Sequence, residues 1–170
     1  LSHGNEKLQN YFSYANTTGH GIIGKHNLSK HNLTFRETSV LLNSRLKLDG
    51  SMNLMRQVVK NKPTVGGFYM NPLVGLYRFP RGEDIAYYKE NFEVYDEGRN
   101  LNIQNWHTSY EDFEQNPYWI TNRILSKENR MHVIVSLSAN LKINDWLSLQ
   151  ARGNVDYIND KVRQQFYAST

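Results

Sequence analysis

Cysteine is missing from all 170 residues. Its absence excludes disulfides, thiolate metal sites and cysteine nucleophiles, and it suits passage through an oxidising compartment, where a stray thiol is a liability. Long apolar runs are missing too. None approaches the roughly 18 residues of a membrane-spanning helix, and mean hydropathy is negative. A barrel strand escapes that test, because it alternates apolar and polar residues and stays near neutral on average. The 20 basic and 16 acidic residues are well mixed and leave a net charge of +4. A nucleic-acid binder gathers its basic residues on one face or stripe, so no nucleic-acid partner is expected. A glycine-rich phosphate loop, a G-x-S-x-G elbow and an H-E-x-x-H pair are all absent, so neither an enzymatic role nor a cofactor is expected. Repeats and low-complexity tracts do not occur. The chain starts Leu1-Ser2-His3 without an initiator methionine or a signal peptide, and both ends are expected to be cuts through a longer protein.

What is present is a hydrophobic fraction of 39% against a charged fraction of 21%, which argues against disorder. Alternation with a period of two recurs, and in a strand it gives one apolar and one polar face. In 45–60, Leu46, Leu48, Met52 and Leu54 oppose Arg45, Lys47, Asp49, Ser51, Asn53 and Gln57. In 131–143, Met131, Val133, Val135, Leu137, Ala139, Leu141 and Ile143 oppose His132, Ser136, Ser138, Asn140 and Lys142. In 146–159, Leu147, Leu149, Ala151, Val155 and Tyr157 oppose Ser148, Gln150, Arg152, Asn154 and Asp156. Two weaker strands are expected over 7–16 and 30–41, and Leu1 to His3 reads as the tail of another, turning at Gly4-Asn5.

The joins around Asn43-Ser44 and Asn144-Asp145 predict tight hairpins. Longer connections are expected over 17–29 and over 61–130, the second far above the usual loop length. Short joins alternating with long ones are the habit of outer-membrane barrels. The expected strands also run longer than the five or six residues usual in soluble sheets. The fold class is therefore read as all-β, an antiparallel transmembrane β-barrel segment of about five strands with one long extracellular loop over 61–130. The apolar sides of the last three strands carry almost no charge until their ends; Arg56 is the exception, close to the outer end of its strand. Trp146, beside a turn, suits an interfacial aromatic belt or an ordinary core.

The long loop is no tether, since it holds 13 of the 21 aromatic residues. It is expected to fold into a compact cap with a short helix within 82–92. Trp106, Tyr110, Tyr118 and Trp119, with Phe68 and Tyr69, could stack on sugar rings or meet a partner. They could equally form the loop's own core, and packing or partner contact weighs more. His3, His20, His26 and His31 lack helical i,i+4 spacing and read as exposed loop histidines, so no metal is expected. The acidic clusters Glu83-Asp84 and Glu111-Asp112 with Glu114 lack calcium-loop spacing and read as solvated carboxylates.

Several short motifs resemble the SusC/RagA class of TonB-dependent outer-membrane transporters. They are Tyr11-Phe12-Ser13-Tyr14-Ala15-Asn16-Thr17, Phe79-Pro80-Arg81-Gly82, Asn91-Phe92-Glu93-Val94-Tyr95-Asp96, Gln104-Asn105-Trp106, Gln115-Asn116-Pro117-Tyr118-Trp119, Trp146 to Asn154, and Tyr167-Ala168-Ser169-Thr170. Together they span nearly the whole chain in order. The resemblance implies a parent barrel of about 22 strands around a plug. It also implies a TonB-engaging segment and a SusD-like surface lipoprotein as lid; plug and TonB-engaging segment lie outside this chain. The implied setting is the outer membrane of a Gram-negative, Bacteroidetes-like bacterium, the implied cargo a glycan or oligosaccharide, or a peptide, and the implied surroundings outer-membrane lipid. Lys47, Asp49, Asn53, Gln150, Arg152 and Asp156 would then face the lumen. A soluble β-rich carbohydrate-binding module and a passive porin are the alternatives.

Overall fold

Alternating residues need a backbone that puts neighbours on opposite sides, and a computed structural model, which describes residues 1–108 and 114–170, supplies it. In chain order the elements begin with β1 Ser2–Gly4, β2 Leu8–His20, β3 Asn27–Leu41 and β4 Leu46–Lys60. Helices α1 Pro72–Arg78 and α2 Ile85–Glu90 follow, then β5 Glu93–Asp96, β6 Leu101–Gln104 and α3 Pro117–Arg123. β7 Ile124–Lys142 and β8 Ser148–Phe166 close the order. Six strands form one open sheet in the order β1-β2-β3-β4-β7-β8, and β5 pairs with β6 in a separate antiparallel hairpin, Glu93 opposite Gln104. The chain is mostly antiparallel sheet, as the alternation requires.

Two compact units divide the chain. The first comprises Leu1–Thr18, Ser29–Val58 and Asn129–Lys161, the second Gly19–Leu28, Val59–Glu128 and Val162–Thr170. In the first unit the tight turns are closed by asparagine. Asn5 Oδ1 accepts from the backbone N–H of Lys7 and Leu8, both at 2.9 Å, and Asn144 Oδ1 accepts from Trp146 and Leu147 at 3.2 and 2.8 Å. A short side-chain acceptor that bonds two residues ahead is what makes Asn a turn residue. Between β3 and β4, Leu42, Asn43 and Ser44 all take positive φ, and the turn closes through Arg45 N–H to Leu42 C=O at 3.2 Å.

No described side chain of the first unit is buried. Its apolar side is open instead, with Leu137, Leu149 and Val155 at 64, 61 and 63% exposure. Among the described residues every buried one lies in the second unit, around Trp106, Trp119 and Ile120.

Three expectations need correction. The connection expected over 17–29 shrinks to 21–26, because Thr17 to His20 and Asn27 to Ser29 join the ladder; Gly21 N–H closes it on His26 C=O at 2.8 Å. The long loop ends at 123 rather than 130, since β7 starts at Ile124 and the ladder already holds at Asn61 N–H to Ser126 C=O, 2.8 Å. β8 continues to Phe166 although its pattern reverses after Tyr157: Ile158, Val162 and Phe166 take the side of Arg152 and Asp156, while Asn159, Lys161, Arg163 and Gln165 take the other. Backbone pairing continues there without the side-chain alternation that a sequence reading follows. The short helix expected within 82–92 is α2, and the β5–β6 hairpin was not expected.

Candidate functional site

Helix caps organise the second unit. Asn71 and Asn116 each precede a proline that opens a helix, a position where proline's missing N–H costs nothing. Asn71 Oδ1 accepts from Leu73 N–H at 3.1 Å while its amide donates to Gly66 C=O at 2.7 Å. Asn116 is wholly enclosed and does more. Its Oδ1 accepts from Tyr118 N–H at 2.8 Å, its amide donates to Tyr88 C=O at 3.0 Å and Asn105 C=O at 2.7 Å, and its own N–H donates to Gln104 Oε1 at 3.2 Å. One side chain thereby ties α2, the end of the hairpin and α3. Asp84 caps α2 through Ala86 N–H at 2.9 Å, and Glu83 accepts from the Tyr88 hydroxyl at 2.9 Å. That bond holds the Tyr88 phenol above its ordinary pKa, with burial adding to it.

Close packing of α1 depends on Gly75. A Cβ there would stand 2.5 Å from the Gln115 carbonyl oxygen, 3.4 Å from Pro117 Cδ and 3.5 Å from Trp106 Cζ2. Alanine gains about 1 kcal/mol of helix propensity over glycine. The obstacle is backbone, however, and cannot swing aside; overpacking of this kind costs about 1–3 kcal/mol. Gly75→Ala is expected to lose up to about 2 kcal/mol net, read from the tryptophan-fluorescence unfolding transition, with a gain in stability as the contrary result.

Around Trp106 the rings close into a cage. Phe79 lies 5.2 Å from Trp106, 5.8 Å from Tyr88 and 5.4 Å from His107, and Trp106 and His107 are 4.9 Å apart. Glu114 is enclosed beside it, its Oε1 3.0 Å from His107 Nε2 and 3.2 Å from Thr108 Oγ1, its Oε2 3.2 Å from Arg78 Nε. This resembles part of a nucleophile relay, but the hydroxyl bonds the carboxylate rather than the imidazole, and the imidazole is walled off from solvent. A relay needs the hydroxyl on the base. The cluster neutralises a buried carboxylate.

On the far side of α3, Trp119 is fully buried (0% exposed). Its Nε1 donates to Thr170 Oγ1 at 3.2 Å and its ring meets Tyr167 edge-on at 6.0 Å. Arg123 grips Glu93 through two bonds of 2.7 and 2.6 Å and lies over the Tyr167 ring at 4.5 Å. Glu93 lifts the guanidinium pKa above its already high ordinary value, with burial acting the other way.

The expected contact aromatics thus separate. Trp106 and Trp119 spend their faces on the interior, where no sugar ring can stack. Tyr118 is half-buried in the first turn of α3, and Phe68 and Tyr69 pack on each other at 4.6 Å. Tyr110, Glu111 and Asp112 lie outside the described residues. No joint ligand platform forms among the described aromatics, and internal packing accounts for both tryptophans.

In the first unit the polar residues do meet on one side of the sheet. Thr38 Oγ1 donates to Asp49 at 2.7 Å, Asn53 donates to Thr34 Oγ1 at 2.8 Å, and Lys47 stands 3.7 Å from Asp49. Asp156 is 2.6 Å from His132 Nε2, and Arg130 forks onto Asp160 with two bonds of 2.7 Å. Gln150 and Arg152 are exposed on β8. His31 bonds the Tyr14 hydroxyl at 2.7 Å, and among the described residues no group of histidines and carboxylates could hold a metal. On the apolar side a groove of about 740 Å³ runs between Phe35, Met52, Val135 and Leu137 over the small residues Gly50 and Gly153. In the second unit a groove of about 240 Å³ is lined by Lys60, Leu125, Lys127, Arg163 and Gln165.

Sequence reasoning missed the Asn116 hub, the Arg123–Glu93 fork and the Glu114 cluster. The two Asn-Pro pairs were a legible helix-start signal. The ion pairs left none, because their partners come together only in the fold. No family model matches the sequence, and no curated protein matches it.

Proposed function

We propose that this chain is wall and outer loop of a TonB-dependent outer-membrane importer of the SusC type. It would form part of a closed barrel of about 22 strands that takes up glycans or oligosaccharides, or peptides, beneath a SusD-like lipoprotein, driven by TonB through segments beyond these residues. The observation that carries this is the uncovered, one-sided apolar belt. Its runs, Leu46 to Leu54 on β4, Met131 to Leu141 on β7 and Leu149 to Tyr157 on β8, measure about 26–33 Å along the strand at 3.3 Å per residue. A strand tilt of about 40° brings that to about 20–25 Å, close to the 25 Å apolar band of outer-membrane barrels. A soluble protein rarely leaves so much contiguous apolar surface in water. The opposite side is laddered with Asp49, Asn53, His132 and Asp156, as a wet lumen requires.

These residues hold no cysteine of their own, so any native cysteine elsewhere in the full-length protein is first replaced by serine. Single cysteines introduced at each position from 131 to 141 of the full-length protein, spin-labelled in vesicles, should alternate, odd positions accessible to oxygen in lipid and even positions to a water-soluble relaxant. Accessibility without that two-residue period, or water access on both sides, refutes the membrane reading and returns the soluble module.

A further inference from the structure

We infer that the groove formed by Lys60, Lys127 and Arg163 binds the phosphorylated headgroup of a lipid, at the outer edge of the apolar belt; this rests on the membrane reading above. All three side chains, with Leu125 and Gln165, stand on the strand side that carries the belt. Lys127 is four residues from Met131 along β7, Arg163 six from Tyr157 along β8, and Lys60 six from Leu54 along β4. Between each apolar run and its cation the same side carries Arg56 and Val58 on β4, Asn129 on β7, and Asn159 and Lys161 on β8, so each cation lies beyond a short, mostly polar stretch.

Charge is segregated across these strand ends. The side of Lys60, Lys127 and Arg163 continues with Asn129, Asn159 and Lys161 and holds no carboxylate there. The acids sit on the other side and are already engaged: Glu128 stands 4.0 Å from Lys62, and Asp160 is forked by Arg130. Among the described residues none of the three cations has an acidic partner. Three uncompensated cations around a groove of about 240 Å³ suit a ligand that brings its own negative charge. A phosphate monoester carries about −1.5 to −2 near neutral pH with three acceptor oxygens, which one guanidinium fork and two ammonium groups can share. Leu125 in the lining and the belt beyond it favour an anion carried on acyl chains over a free one. Each cation near an anionic lipid surface adds to the attraction.

The test uses the full-length protein in nanodiscs of phosphatidylcholine with a small fraction of diphosphoryl lipid A, the bound lipids being counted by native mass spectrometry. Wild type should enrich lipid A over phosphatidylcholine. The triple variant Lys60→Gln, Lys127→Gln, Arg163→Gln should lose that enrichment by about tenfold or more. A control with the same charge change elsewhere, Lys7→Gln, Lys30→Gln, Arg36→Gln, should keep it. All three proteins should insert into nanodiscs of phosphatidylcholine alone. Equal enrichment by wild type and triple variant overturns the site, as does millimolar inorganic phosphate displacing lipid A, which would reveal a free-anion site. Insertion without any preference for lipid A overturns the site but leaves the membrane reading standing. Failure to insert even into phosphatidylcholine alone overturns the membrane reading and the site with it.

Discussion

Replacing Asn116 by alanine should unfold the second unit at far lower denaturant than wild type, with a loss of about 3–5 kcal/mol. The sum has two sources: about 1 kcal/mol for the lost helix cap, and about 1–2 kcal/mol, the lower part of the range for an unsatisfied acceptor, for each of two half-buried carbonyls, those of Tyr88 and Asn105, stripped of their donor. Asn116→Asp separates the two. Aspartate is as good a cap as asparagine and its charge suits a helix start. In place of the amide, though, it sets a carboxylate oxygen against two carbonyl oxygens. It should therefore be at least as damaging as alanine despite its better cap, and acidification should recover part of the loss, because the introduced carboxyl can donate once protonated. Tryptophan fluorescence reads this directly, since Trp106 and Trp119 are buried in the second unit and the 82%-exposed Trp146 can be changed to phenylalanine. Near-wild-type stability of the aspartate variant would show that capping alone is what Asn116 provides.

The same contrast between local and distant interactions explains how much of this molecule could be read in advance. Leu46, Leu48, Met52 and Leu54 announce β4 because alternation is a local property that needs only the strand itself. Gly4-Asn5 and Asn144-Asp145 announce turns for a similar reason, as the asparagine bonds its own near neighbours. The expected ends of β2, β7 and β8 fall short, at Asn16, Met131 and Asn159, where the pattern lapses, since a ladder of backbone bonds continues regardless of which side the apolar residue takes. The hairpin of β5 and β6 had a signal in Gly98, flanked by Asp96 and Asn100, but strands of four residues are too short to show a period. The candidate sites were least legible. Lys60, Lys127 and Arg163 come from three strands and look well mixed with acids along the chain; only the side each faces gathers the cations and removes the carboxylates. Trp106 and Trp119 were visible as rich aromatics, yet nothing local says whether a ring face points at a ligand or at Phe79 and Tyr167.

Introducing arginine at two adjacent positions of β7 should have opposite consequences. Val135 lies on the apolar side near the middle of its run, while Ser136 shares the side of His132. In a bilayer Val135→Arg places a guanidinium against hydrocarbon at mid-depth, at a cost of about 2–4 kcal/mol. Ser136→Arg meets water or a polar neighbour and should stay within about 0.5 kcal/mol of wild type. Reversible folding of the full-length protein into phosphatidylcholine vesicles, followed by urea titration, should show the first variant weakened by that amount and the second nearly unchanged. Moving the arginine outward should restore stability, because a charge near the interface costs close to nothing; Met131→Arg, beside Asn129 and Lys127, should be milder than Val135→Arg. A soluble sheet whose apolar side faces water predicts no such depth dependence, and one covered by another protein domain predicts loss in water as well as in lipid. Equal effects at 131, 135 and 136 would leave the belt without a bilayer to explain it.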